Sequence, residues 1–362
     1  MVGCVPAVTP NRVTFSTAKE SCFMCPSPLR PDPTSQPAGH WVLRRVAGLG
    51  ATSAVALVLA ACGSSSTSHS ADAAATGSTT GASSGSGSTI RVVAAENEYG
   101  NVASQIGGSY VNVTSVESNP NTDPHAYEVS PGVAKEVSGG QVLIENGVGY
   151  DTWMSKLASA SANSSRLVIN AQQELGLPAG TPNPHLWYSP RTMPKVASVM
   201  AADFTKLAPT HAAYFKANVV KFDASLKPWL AAIAQFRARY PGTPVATTEP
   251  VSDYMLQAAG TENMTPFSFQ ADIMNGTDPS PQGVSEQNNL FSRHKVKVFV
   301  YNQQVTDALT QGFITQAKQA GIPIIGVYET MPTPGYSYQT WMVAEVHALQ
   351  KAVADGVSTE KL

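Results

Sequence analysis

"KVKVFVYNQQVTDALTQGFITQAKQAGIPIIGVYE", residues 295–329, reads as a strand, a helix and a second strand. The run KVKVFVYN is β-branched and aromatic and closes on polar residues. QVTDALTQGFITQAKQAG then spaces its apolar residues at helical intervals and stops on glycine, and IPIIGVYE is a second short apolar run ending on Glu329. Strands that alternate with helices form mainly parallel sheets, so this unit assigns the chain to the α/β class.

The alternation extends in both directions. Upstream lie TPVATTE as a strand, VSDYMLQAAG as a helix, a Pro/Asn-rich excursion over 261–281 and QGVSEQNNLFSRH as a helix; downstream, YSYQTWMVAEVHALQKAVA is the last helix. A second alternating unit begins at Ile90, with IRVVAAEN, VNVTSVES, QVLIENG and RLVIN as strands and YGNVASQIGG and SPGVAKEVSGG as helices. Between the units, residues 189–240 are helical throughout. Pro209 separates a helix of about 15 residues from a longer one, and Pro228 predicts a kink or division in the second. The expected architecture is two (β/α) lobes with parallel-rich sheets, at 90–188 and 241–362, joined by a rigid interlobe helix and the long helix that follows it. A cleft between such lobes is where a ligand site belongs.

The front of the chain has a different composition. Residues 42–62, VLRRVAGLGATSAVALVLAAC, place two arginines before a short apolar run, the order of an export signal. Leu59-Ala60-Ala61-Cys62 resembles the lipobox of bacterial lipoproteins, which implies that Cys62 is lipidated and becomes the mature N-terminus. Residues 1–61 are therefore read as a leader. The Pro-rich segment 1–39, with Cys4, Cys22 and Cys25, is expected to reflect a translation start upstream of the true one. Residues 62–89 are a flexible tether: the 27 residues after Cys62 hold 10 Ser, 5 Gly and 5 Thr, too little apolar surface to pack.

Without the leader the chain keeps one cysteine, so no disulfide is expected. Its 18 basic and 23 acidic residues give a net charge of −5, which argues against nucleic acid as a partner.

Polar residues gather where the strands end. His125 follows the strand 111–118, His185 precedes the helical connection, Glu249 closes the strand 243–248 and Glu329 closes the strand 322–328. Ligand sites of open α/β sheets lie beyond the carboxyl ends of their strands, so these four can converge across the cleft as a divalent-metal site. Taken singly, each histidine is equally a turn residue, and Glu249 before Pro250 equally a helix start. Glu96, Asn97, Tyr301 and Asn302, at the ends of two further strands, are candidates to bond the ligands from behind.

Four motifs then carry a resemblance. DPHAYEVSP (123–131), NPHLWYSPRTM (183–193), TTEPVSDYMLQAAG (247–260) and VYETMPTPGYSYQTWM (327–342) fall in the order and lobes of the substrate-binding proteins of metal-ion ABC transporters. This manganese/zinc group, cluster A-I, includes the adhesin lipoproteins of streptococci. The resemblance covers residues 90–355 and implies His125, His185, Glu249 and Glu329 as metal ligands. Two departures stand out: Asn183 where the family usually has aspartate before Pro-His, and Glu329 in place of the usual aspartate. Asp272 and Asp278 are rivals for the fourth ligand.

The implied function is capture of a divalent cation outside the membrane and its delivery to an ABC permease with a cytoplasmic ATPase, by a monomer anchored through Cys62 and with no enzymatic step. The choice between Mn2+ and Zn2+ stays open: two histidines with two carboxylates resemble the manganese members, whereas intrinsic affinity favours zinc. The alternatives are a secreted metal-dependent hydrolase with Glu249 as general base, and an adhesin or structural surface lipoprotein. Release of the metal is expected through loops 261–281 or 330–337 rather than through wide lobe closure.

Overall fold

The strand, helix and strand at 295–329 recur as read in the computed structural model, which describes residues 89–362. The leader, Cys62 and the tether up to residue 88 lie outside the described residues.

The first sheet is built from β1 (Ile90–Glu96), α1 (Asn97–Gly107), β2 (Val111–Glu117), α2 (Pro131–Gly139), β3 (Val142–Glu145), α3 (Thr152–Ala160), β4 (Leu167–Asn170) and the single turn α4 (Ala171–Glu174). Its strand order is β2-β1-β3-β4, and every pairing is parallel. Three helices follow, α5 (Thr192–Leu207), α6 (Ala212–Ser225) and α7 (Lys227–Arg239). The second sheet uses β5 (Pro244–Thr247), α8 (Asp253–Ala258), β6 (Glu262–Asn263), α9 (Phe267–Met274), α10 (Pro281–Ser292), β7 (Val298–Asn302), α11 (Ala308–Gln319) and β8 (Ile324–Val327), and α12 (Tyr338–Asp355) closes the chain. Its order, β6-β5-β7-β8, repeats the first with every pairing parallel. In both sheets the order reverses beside the first strand, which leaves a crevice at the carboxyl ends.

Alternation along β7 assigns its two faces. Val298 and Val300 join a core shared with Val92, Ala94, Val142 and Ile144 of the first sheet, whereas Phe299 and Tyr301 pack on the opposite side with Phe269, Phe291 and Phe313. The shared core is continuous through both sheets and includes Phe204 of α5, Trp229 of α7 and Trp341 of α12.

The helical connection divides as its prolines direct. Pro209 opens the turn after α5, and Pro228 lies in the first turn of α7, where its missing N–H costs nothing. It is α6 and α7, broken at Leu226, that cross between the lobes: α6 packs on α1 and α5, and α7 packs on α8 and α12. The excursion at 261–281 holds more structure than its composition predicts. β6 pairs with β5, and α9 buries Phe269, Gln270, Ile273 and Met274, a helical i, i+1, i+4, i+5 stripe framed by Pro266 and Asn275-Gly276.

Candidate metal centre

The two histidine motifs fold in the same way. In Asp123-Pro124-His125, Asp123 Oδ1 accepts the backbone N–H of His125 at 2.8 Å and Pro124 starts a 3-10 turn. In Asn183-Pro184-His185, Asn183 Oδ1 accepts the backbone N–H of His185 at 3.0 Å. A short polar side chain two residues ahead thus closes an Asx turn, and the proline fixes the backbone between them. Asn183 does more: its Oδ1 also lies 2.8 Å from His185 Nδ1, and its Nδ2 donates to the Pro250 carbonyl at 2.8 Å. With Nδ2 committed to that carbonyl, Oδ1 is an acceptor. It therefore holds the His185 proton on Nδ1 and leaves the Nε2 lone pair free.

Glu329 follows β8, and its backbone N–H donates to Gln304 Oε1 at 2.6 Å. Its Oε2 lies 3.1 Å from His125 Nε2 and 3.1 Å from His185 Nε2, and accepts the Tyr150 hydroxyl at 2.9 Å. One donor atom each from His125, His185 and Glu329 all lie within 4.8 Å of one another, the geometry of a shared ion. Glu249 is outside that set. Asn302 ties it in, since its Nδ2 donates to Glu249 Oε1 at 3.1 Å and to Glu329 Oε1 at 2.6 Å. Glu249 Oε2 is buried and has no hydrogen-bond partner. Asp272 and Asp278 are not in the cluster.

The charges balance around Glu329. Burial opposes its ionisation, but the two imidazoles hold it well below the usual carboxylate range. Burial likewise opposes a proton on His125, yet the Glu329 hydrogen bond and charge, with Glu249 and Asp123, raise it to about 9. His185, fully enclosed, is lowered by burial, with Glu329 working the other way. Burial first, and then the Glu329 charge, push Glu249 well above its ordinary value. In the ion-free centre His125 and Glu249 are thus pushed toward keeping a proton, and His185 and Glu329 toward being without one. A carboxylate oxygen that accepts from His125 and the Tyr150 hydroxyl while facing the unprotonated Nε2 of His185 marks a spot where a cation would relieve that contact and replace the His125 proton.

Aromatic rings wall the centre. Tyr150 meets His125 edge-on at 5.1 Å and His185 at 5.9 Å, and Trp187 meets His185 at 5.4 Å. His185 and Glu329 have side-chain exposures of 0%, against 24% for His125, so among the described residues of the cluster His125 is the one that solvent reaches. A cavity of about 370 Å3 opens there between Asp123, His125, Met274 and Val305.

The residues expected behind the ligands divide. Asn302 is in place. Asn97 bonds the backbone of Met331, donating to its carbonyl at 2.9 Å and accepting its N–H at 3.0 Å, and so steadies the loop after Glu329. Glu96 is buried with both oxygens unpartnered and bonds no ligand imidazole. Tyr301 lies on the far face of β7, where its hydroxyl reaches the Glu360 carbonyl at 3.4 Å. Sequence reasoning missed Tyr150 and Gln304. Tyr150 is aimed by a loop in which Gly147, Val148 and Gly149 all take positive φ, and the glycines of NGVGYD were the available signal.

The chain matches the family described as ZnuA, zinc-uptake complex component A, periplasmic, over residues 92–352. A manganese-binding lipoprotein, MntA, of Bacillus subtilis is 27% identical over 144 residues, which are 38% of this chain and 47% of the relative. MntA of Halalkalibacterium halodurans is 25% identical over 167 residues, 45% of this chain and 50% of the relative. The chain thus spans about half the length of the curated relatives it matches. Among solved structures, the binding protein FpvC of Pseudomonas aeruginosa in complex with Mn2+ superposes with a TM-score of 0.61 at 20% identity, covering 74% of this chain and 99% of that one. A mutant of the laminin-binding adhesin Lmb of Streptococcus agalactiae gives 0.62 at 16% identity, covering 73% and 99%. At these identities the superpositions establish the fold.

Proposed function

This chain belongs to the family of periplasmic zinc-uptake component A proteins, and from that premise we propose that it captures a divalent transition-metal ion, Mn2+ or Zn2+, outside the cell membrane and delivers it to an ABC permease. Its work is binding and release, with no chemical step. His125, His185 and Glu329 are the ligands, and Glu249 is the fourth. The observation that carries the reading is the convergence of two imidazole Nε2 atoms on one buried carboxylate oxygen, from loops at the carboxyl ends of both sheets. Two relatives that are manganese-binding lipoproteins support the class of ion.

The remaining assignments follow the same reading. Cys62 carries the lipid anchor, residues 62–89 form the tether, and the lobes at 90–188 and 241–362 enclose the ion, with 189–240 between them. The permease and its cytoplasmic ATPase are the partners. The test is an equilibrium titration of the metal-stripped protein: one equivalent of Zn2+ or Mn2+ binds, and His125→Ala and His185→Ala each abolish or greatly weaken that binding. Binding indifferent to both substitutions would reduce the motifs to turns.

A further inference from the structure

We propose that the outward face of α6 and α7 docks on the anionic headgroups of the membrane that carries the anchor, so that the protein lies against the bilayer on these two helices. The inference rests on the capture reading for its location and adds to it a second contact with lipid besides Cys62.

Charge is concentrated there. The two helices hold five basic residues, Lys216, Lys221, Lys227, Arg237 and Arg239, and one acidic residue, Asp223. That is a net charge of +4, whereas the rest of the described chain, with 13 basic and 21 acidic residues, carries −8. All five cations are exposed, and among the described residues none of them is in an ion pair. Arg237 and Arg239 suit the last turn of α7, where cations complement the helix dipole; no such role explains the three lysines.

The surface between these cations is low and apolar. Phe215, Asn218 and Phe222 define the buried side of α6, and Trp229, Ala232, Ile233 and Phe236 that of α7. At about 100° per residue the opposite side of α6 carries Ala213, Ala217, Val220 and Ala224, with Lys216 and Lys221 on either flank. The outward side of α7 continues with Lys227, Ala231, Ala234 and Ala238. Val220 is the most exposed large hydrophobic residue described, at 64%, and Leu230 is 40% exposed.

Cations on long stems beside an apolar row are the pattern of a helix lying in a membrane interface. The short side chains admit the headgroups, Val220 and Leu230 enter the acyl boundary, and the lysines extend to the phosphates. Each basic residue near an anionic surface strengthens binding about fivefold. With the anchor 27 residues ahead of Ile90, the contact is intramolecular and needs little affinity of its own.

The test uses the chain from Cys62 onward, which keeps all the described residues and their continuous core, coupled through Cys62 to a maleimide phospholipid. It is anchored on vesicles of phosphatidylcholine, or of equal parts phosphatidylcholine and phosphatidylglycerol, and its lysines are labelled with an amine reagent. On the anionic vesicles Lys216, Lys221 and Lys227 should label about fivefold more slowly or less, while the exposed Lys135, Lys156 and Lys295 keep their rates. Val220→Glu with Lys221→Glu should restore fast labelling of Lys216 and Lys227, as should high salt. Equal labelling of all six lysines on both vesicles overturns the proposal. So does protection that is as strong on neutral vesicles, that appears without vesicles as protein concentration rises, or that soluble polyphosphate produces equally well, since the occupant is then a neutral surface, a second copy or any polyanion. Zn2+ titration of the same samples separates the two readings: a protected face without metal binding refutes capture alone, and an unprotected face with metal binding refutes the docking surface alone.

Discussion

At the scale of residues, the centre exchanges charge for charge. On the proposed four-ligand reading a dication requires neutral His125 and ionised Glu249, yet the ion-free protein holds His125 raised to about 9 and Glu249 well above its ordinary value. On that reading the His125 proton must leave and Glu249 must ionise, so affinity falls as pH drops below about 9. Titration of Zn2+ at pH 7.5 in buffers of different ionisation enthalpy should show about one proton released from His125 and a further release that Glu249→Gln removes. Release of none in the wild type would mean that the ion binds elsewhere. The histidines of this exchange were legible because the Asx turn is local: Asp or Asn, then Pro, then His, is enough to build it. Tyr150 was not, because its bond to Glu329 spans 179 residues of sequence. Nor could sequence divide Tyr301 from Asn302, since neighbours in a strand face opposite ways and only the assembled sheet identifies the side of the site.

At the scale of elements, the strand and helix order was readable wherever an apolar run had one clear period. It failed over 261–281, where β6 has two residues and gains its identity only by pairing with β5. The C-terminal segment is another long-range feature. Thr359 adds a bridge to β8, donating to the Ile324 carbonyl at 2.8 Å and accepting the Gly326 N–H at 2.9 Å. Gly326 permits that approach, because a Cβ there would lie 2.1 Å from the Glu360 carbonyl oxygen, a backbone atom with little freedom to yield. Gly326→Ala should therefore cost about 1–3 kcal/mol in chemical denaturation and loosen the segment after α12 to proteolysis. Gly312→Ala is the matched comparison, since a Cβ there meets nothing within 4 Å on an exposed face of α11. It should stabilise by about 0.5–1 kcal/mol. If the two substitutions behave alike, the tail does not hold the edge of the second sheet.

At the scale of the whole molecule, the lobes are joined by more than the connection α6–α7. The core is continuous from Val92 and Ile144 to Val245 and Val300, and polar staples cross above it. Gln304 Nε2 donates to the Thr122 carbonyl at 2.5 Å, Asn97 bonds Met331 in both directions, and the Tyr188 hydroxyl donates to the Tyr328 carbonyl at 2.8 Å. Wide hinge opening would have to break these bonds and expose the apolar core together, so an ion leaves by a smaller movement. The expectation of two mobile loops narrows accordingly. Residues 330–331 are held by Asn97 and Gln304, whereas His125 is the partly exposed member of the cluster and its loop borders the cavity against Met274, Asn275 and Gly276. Removing the metal should therefore raise amide hydrogen exchange across 118–130 and 272–278, leave 329–332 nearly unchanged, and leave the core strands β1 and β7 protected. Exchange that rises together in both sheets and in α6–α7 would instead show that the lobes part as bodies, and the staples would then be contacts of the closed form alone.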